Sequence, residues 1–257
     1  MRRTLLAHDD DGDGPEVLLL HSSVCDRRMW DPQWRLFLDA GFRVLRCDFR
    51  GFGDTPAADA PYRDADDVVE LLDALGIGRT AVVGSSSGGR VALELAARRP
   101  ERVTALALLN AGAPGHEPGD ALRAFGERES ALIESGDLAG AVELNVATWL
   151  GPDADGNTKA MVRLMQRHAF DVQLAADDVE QPEVDIDLGR ITAPTLAVAG
   201  AHDLADFRAI AAALPDAVPG ARHVELDWAG HLPSLERPAE TAALLLDFLT
   251  GHTGHTR

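Results

Sequence analysis

Val82-Val83-Gly84-Ser85-Ser86-Ser87-Gly88-Gly89 runs from an apolar stretch straight into a helix-period segment. It contains Gly-x-Ser-x-Gly centred on Ser86. A residue at the apex of a sharp strand-to-helix turn takes a strained backbone conformation. The residues two before and two after it press against neighbouring backbone, which favours glycine at both. Gly84 and Gly88 meet that demand, and of the three adjacent serines only Ser86 lies between a glycine pair. Such a turn also sets a helix N-terminus, with free N–H groups and the positive end of its dipole, beside any negative charge that develops there. Taken alone, the five residues also describe an ordinary glycine-serine loop before a helix.

Working outward, short apolar runs alternate with helix-period segments, the pattern of a parallel sheet wrapped by helices. Val17 to His21, Arg43 to Cys47, Thr80 to Val83, Val103 to Leu109, Thr195 to Ala199 and His223 to Leu226 read as buried strands. Asp67 to Leu75 has Val68, Leu71, Leu72 and Leu75 on one helical face and stops at Gly76; Arg90 to Arg99 stops at Pro100; a last helix starts near Pro238 and closes at Gly251. The acidic run Asp9 to Asp13 lacks the spaced ligands and terminal Glu of a calcium loop and reads as a solvated turn, with room before it, over Thr4 to His8, for one strand. From about Ala113 to Arg190 the strand alternation stops. Leu122 and Phe125, then Leu138, Val142, Val146 and Trp149, then Met161, Met165, His168 and Val172 recur at helical spacing, so three amphipathic helices are expected there as an inserted lid. Apolar helix faces are usually core, and a subset of these residues is a candidate pocket lining.

A serine hydroxyl is a poor nucleophile until a base takes its proton, so a histidine oriented by a carboxylate should follow in the chain. Pro194 to Asp203 reads as a strand ending in Gly-x-x-Asp, and Asp227-Trp228-Ala229-Gly230-His231-Leu232-Pro233 places a histidine on a glycine-preceded loop after the next strand. Asp206 competes with Asp203 for the acid; His116 and His168 fall in the insertion and His223 within a strand, where packing roles are the default.

With these segments in place the chain resembles the alpha/beta-hydrolase superfamily over nearly its whole length. His21-Ser22-Ser23 is similar to that family's oxyanion loop, with Ser22 where a glycine is usual, and Asp48-Phe49-Arg50-Gly51-Phe52-Gly53-Asp54-Thr55 is similar to its Asp-x-Arg-Gly-x-Gly-x-Ser segment. The resemblance implies a mostly parallel central α/β sheet of about seven strands with a shortened N-terminal hairpin. The core would span residues 1–112 and 191–257 and the helical lid residues 113–190. It implies Ser86 as nucleophile, Asp203 as acid, His231 as base, and the backbone N–H groups of Ser87 and Ser23 as the oxyanion hole, while His21 braces its loop. Val24, Phe125, Trp149, Met161, Met165 and Leu232 are the candidate pocket residues, with Phe170 beside them. The implied activity is hydrolysis of a small to medium, partly apolar carboxylic ester or lactone, needing no metal and no cofactor. Carbon–carbon bond hydrolysis and perhydrolysis use the same triad, and a ligand receptor built on the fold is the alternative of another class.

Composition narrows the partners. The 257 residues are 46% hydrophobic, and 24 Lys and Arg against 42 Asp and Glu leave a net charge of −18, a field that disfavours nucleic acid and anionic membrane. No apolar run approaches the ~20 residues of a bilayer span, and Met1-Arg2-Arg3 leads into no signal-peptide core, so a cytoplasmic monomer or homodimer is expected. Two cysteines, Cys25 and Cys47, exclude a disulfide scaffold and a four-cysteine zinc site, and reduced thiols are the default.

Overall fold

The computed structural model describes residues 5–177, 179, 181–182 and 185–252. Its centre is a sheet built from β1 (His8–Asp11), β2 (Glu16–Leu20), β3 (Arg43–Cys47), β4 (Thr80–Ser85), β5 (Val103–Leu109), β6 (Thr195–Gly200) and β7 (Arg222–Leu226) in the order β1-β3-β2-β4-β5-β6-β7. β1 is antiparallel to β3 and every other pair is parallel. The helices are α1 (Asp31–Asp39), α2 (Asp64–Ala74), α3 (Ser87–Arg98), α4 (Asp120–Glu134), α5 (Leu138–Trp149), α6 (Gly156–Gln173), α7 (Ala205–Ala217), α8 (Pro233–Glu236) and α9 (Pro238–Thr250). This is the α/β class expected from the alternation of apolar runs.

Strand side chains alternate between faces, and the sheet uses both for core. Leu18, Leu20, Leu45, Val82, Leu106 and Leu108 pack toward Leu71 and Leu72 of α2 and Val91 and Leu95 of α3. Val17, Leu19, Val44, Val83, Ala107 and Leu109 pack toward Phe37 of α1 and Leu245 and Phe248 of α9. With both faces covered, β4 is buried along all six residues, which is why it reads as a continuous apolar run.

The N-terminal strand differs from its expected place. The acidic run is itself the strand: Asp9, Asp10 and Asp11 pair with Arg46, Leu45 and Val44 of β3. Arginines make this possible, since Arg43 Nη2 lies 2.6 Å from Asp10 Oδ2 and Arg46 Nε 2.9 Å from Asp9 Oδ2. Charges that would repel in an isolated strand are neutralised across the ladder. Of the expected Thr4 to His8 strand, only His8 is in β1, and Thr4 lies outside the described residues. The two cysteines are free and buried, on opposite faces of the sheet, and burial pushes both thiols up in pKa.

Between β5 and β6 the chain leaves the sheet through α4, α5 and α6. α5 and α6 start on Asp137 and Asp155, whose carboxylates accept the N–H of Gly140 at 2.8 Å and Thr158 at 2.7 Å. No helix among the described residues is long and apolar enough to cross a membrane.

Candidate active site

Strand order fixes where a site can form. β2 is flanked by β3 on one side and β4 on the other, so the connections leaving β2 and β4 diverge and open a crevice at the carboxyl ends of those strands. The loop beginning at His21 follows β2, and Ser86 follows β4. Asp203 follows β6 and His231 follows β7, at the same rim.

Ser86 has φ 53° and ψ −115°, a left-handed backbone region costly for a residue with a side chain, and it is 6% exposed. The strain is held by close backbone packing. A Cβ on Gly84 would lie 2.5 Å from Gly88 O, and one on Gly88 would lie 2.5 Å from Leu20 O and 2.6 Å from His21 O. Glycine at both positions lets the turn close and sets α3 against the end of β2. Ser86 N–H donates to Leu109 O at 2.9 Å, and Ser86 O accepts from Gly112 N–H at 3.0 Å, tying the turn to β5.

On the other side of the rim, His231 Nδ1 lies 2.7 Å from Asp203 Oδ2, with the Asp203 side chain 0% and the His231 side chain 2% exposed. Asp203 Oδ1 accepts Leu204 N–H at 2.7 Å, and His202 N–H donates to Ala229 O at 2.9 Å, so the Asp203 loop and the His231 loop are joined by backbone as well. The rings of Trp149 and Phe207 sit 4.6 Å and 4.3 Å from the imidazole centroid. Among the described residues, Ser86 Oγ and His231 Nε2 carry no hydrogen bond to each other or to any other group. Asp206 is occupied elsewhere. It accepts His116 Nε2 at 2.9 Å and Gly119 N–H at 2.6 Å; burial raises its carboxyl, but these donors outweigh that and leave its pKa lowered.

At the β2 end His21 is fully buried, accepting Phe49 N–H on Nε2 at 2.9 Å and contacting Ser22 O through Nδ1 at 2.8 Å. A lone pair is needed at Nε2, so the proton sits on Nδ1 and the ring is neutral, in keeping with a pKa lowered mainly by burial. His21 therefore braces this loop. Ser22 N–H points to Met29 Sδ at 3.3 Å and Ser22 O accepts Cys25 N–H at 3.0 Å, which turns the chain at Ser23 and leaves that residue exposed. Among the described residues, the N–H groups of Ser23 and Ser87 donate to no protein acceptor.

Val24, Trp149, Met165, Leu232 and Phe207 are buried in the same apolar cluster, with Phe125 and Met161 packed against it. Phe125 and Trp149 meet edge to face at 4.8 Å. Phe170 departs from expectation: it packs with Ala141 and Val142 inside the insertion, away from that cluster.

Three groups escaped the sequence reading. Asn110, at φ 46° and fully buried, donates from Nδ2 to Gly230 O at 3.1 Å and His231 O at 2.9 Å, and accepts Gly200 N–H on Oδ1 at 2.7 Å. One side chain thus clamps the ends of β5 and β6 to the histidine loop. Its signal was an asparagine just past a buried strand, the residue type that best tolerates left-handed backbone. Glu236 accepts Gly230 N–H at 2.8 Å and Leu232 N–H at 3.1 Å, one on each side of His231. Phe207, one residue after Asp206, walls the imidazole.

The comparisons with known proteins agree with this architecture. A family model described as alpha/beta hydrolase family matches residues 17–244. A putative carbamate hydrolase, RutD, of Variovorax paradoxus (strain S110) is 34% identical, with 92% of each chain covered. Among solved structures, the enol-lactonase from Burkholderia xenovorans LB400 is 31% identical at TM-score 0.79, covering 95% of this chain and 96% of its own. A thermophilic esterase from Thermogutta terrifontis is 26% identical at TM-score 0.79, with coverages of 96% and 93%. The glycine-bracketed turn after β4, the seven-stranded sheet and these matches lead to one conclusion: the chain belongs to the alpha/beta hydrolase family.

Proposed function

We propose that this hydrolase-family chain is a serine hydrolase that cleaves a small to medium, partly apolar carboxylic ester or lactone through an acyl-enzyme on Ser86. The observation that carries the reading is the buried Asp203–His231 pair, 2.7 Å apart, on the rim that also bears the strained Ser86 turn. Nδ1 is committed to Asp203, which leaves Nε2 as the nitrogen that takes the Ser86 proton. Asp203 holds that tautomer and stabilises the imidazolium that forms. Ser86 Oγ attacks the carbonyl carbon, and the oxyanion is met by the N–H groups of Ser87, at the N-terminus of α3, and Ser23. Collapse expels the alcohol, protonated by His231. Water, deprotonated by the same imidazole, then releases the acid. These steps use only these residues and water.

Residues 113–190 act as a lid over a core of residues 1–112 and 191–257, presenting Phe125, Trp149, Met161 and Met165 to the substrate beside Val24 and Leu232. Support comes from Trp149, whose ring lies 4.6 Å from the imidazole and 4.8 Å from Phe125, the others belonging to the same apolar core. Relatives named esterase and enol-lactonase favour an ester or lactone carbonyl. Two unpaired buried thiols fit action in the cytoplasm. A second reading has its own support: a putative non-heme bromoperoxidase, BpoC, of Mycobacterium tuberculosis is 29% identical over 95% of this chain, in keeping with perhydrolysis on the same residues.

Labelling with a fluorophosphonate tests the nucleophile. The wild-type protein should label and Ser86→Ala should not; a folded wild-type protein that neither labels nor cleaves short aryl esters would defeat the reading and favour a receptor role. A competitive panel of esters, lactones and carbamates, with peracid formation from acetate and hydrogen peroxide as a further arm, ranks the substrates by kcat/KM.

A further inference from the structure

The end of α5 and the histidine loop meet backbone to backbone. Gly230 and Gly151 approach so closely that a Cβ on Gly151 would sit 2.5 Å from Gly230 N, and one on Gly230 would collide with Gly151 N. Just before this contact, Trp149 O accepts His231 N–H at 3.1 Å, while the Trp149 ring lies against the imidazole. The Trp149 indole is itself held, its Nε1–H donating to Asn145 Oδ1 at 2.9 Å, and Asn145 Nδ2 bonds Glu129 of α4. At the centre of the contact sits the Glu236 carboxylate, 8% exposed, which accepts the N–H of Gly230 at 2.8 Å and of Leu232 at 3.1 Å and lies against Gly151, where an added Cβ would collide with Oε2. No cation pairs with it among the described residues, and burial raises its pKa while the neighbouring backbone N–H groups pull the other way. A buried carboxylate that holds two backbone donors of one loop and packs against the backbone of a separate segment is costly to keep unless those segments need to be held together.

The geometry points to Glu236 as a positioning residue that ties the turn between α5 and α6 of the helical insertion, at Gly151, to the loop bearing His231, so that where the insertion sits determines where the base sits. The inference rests on the serine-hydrolase reading for its catalytic consequence, but the tie itself does not. Glu236 touches neither Ser86 nor, on this account, substrate; it acts through the backbone on either side of the imidazole. Replacing one carboxylate oxygen by an amide NH2 turns an acceptor into a donor facing an N–H group, with almost no change in volume.

Amide hydrogen exchange by NMR reads the tie without reference to activity. In the wild-type protein the amides of Gly151, Gly230 and Leu232 should share one protection factor, because they open together; three unrelated values would overturn the proposal. In Glu236→Gln all three should exchange faster, whereas acceleration confined to Gly230 and Leu232 would show that the insertion is not tied. With p-nitrophenyl acetate as probe, kcat of Glu236→Gln should fall by about 10²-fold, as expected when a catalytic group is displaced by about an ångström, while KM changes little. A folded variant with wild-type kcat overturns the proposal, as does one in which KM alone moves. Should Glu236→Gln fail to fold, Gly151→Ala strikes the same contact from the insertion's side, and wild-type kcat in that variant counts against the tie. Turnover surviving in Ser86→Ala would defeat the serine reading alone, and the exchange experiment would still judge Glu236.

Discussion

Around Ser86 the chain is fixed by close backbone approach alone, with Gly84 and Gly88 letting three backbone segments meet at contact distance, whereas around His231 the close approach of Gly200, Gly230 and Gly151 is joined by hydrogen bonds from several side chains. Asn110 arrives from β5, Glu236 from α8, Asp203 from β6, and Trp149 lends a carbonyl from α5. The Ser86 turn is a steric device, signalled within eight residues and packed against the ends of β2 and β5. The His231 loop is a polar assembly that exists only after the chain has folded. Each can therefore be broken separately.

The largest effects fall on turnover. Ser86→Ala and Asp203→Asn should each lower kcat/KM for a short aryl ester by about 10⁴-fold or more, with circular dichroism unchanged. Next comes the clamp on the histidine side. Asn110→Ala leaves two buried carbonyls and one buried N–H without partners, at ~1–3 kcal/mol each before relaxation, so urea unfolding should show a loss of about 3 kcal/mol together with reduced kcat. On the nucleophile side, Gly88→Ala drives a methyl group into the carbonyls of Leu20 and His21 and should cost about 2–3 kcal/mol by the same measurement. Equal stability losses with kcat reduced only in Asn110→Ala would sharpen the contrast; a harmless Gly88→Ala would break it.

A smaller, pH-dependent effect belongs to the nucleophile side. Asp64, at the start of α2 and 3.9 Å from Arg90 of α3, has a carboxyl raised mainly by burial to about 6, against 3.8 when unfolded. The folded state holds that proton more tightly than the unfolded chain does. The destabilisation is therefore full above about 6 and gone below 3.8. Asp64→Asn should stabilise the protein at pH 7.5 by roughly 2 kcal/mol, and the gain over wild type should shrink as the pH is lowered through that window. Thermal melts of both proteins across it decide the matter. The smallest effect is expected at Asp206→Asn, which breaks the His116 contact and should leave kcat/KM unchanged, separating Asp206 from Asp203 as the acid.

Legibility followed the same division. The Ser86 turn, the six strands β2 to β7 and the Asp203 and His231 loops are readable because each announces itself within a few residues, by apolar runs or by glycine spacing. Asn110 and Glu236 are not, since a lone asparagine and a glutamate near a helix start acquire meaning only from carbonyls and N–H groups about a hundred residues away or across a tight turn. Phe170 is a pocket candidate only as a large apolar residue of the insertion; five positions on from Met165, it faces another side of α6, because three packed helices need a core of their own. β1 was hidden by its composition, as nothing in Asp9-Asp10-Asp11 tells that Arg43 and Arg46 stand opposite.

That acidic strand has a consequence for how the molecule behaves in a crowd. β1 ends the sheet, and an outermost strand is a ready template for a second chain to add to. Here the template carries consecutive carboxylates whose neutralising arginines lie on the inner side, so an approaching copy meets like charge before it meets a free N–H group. The residues that look least like a strand thereby guard this end of the sheet against aggregation.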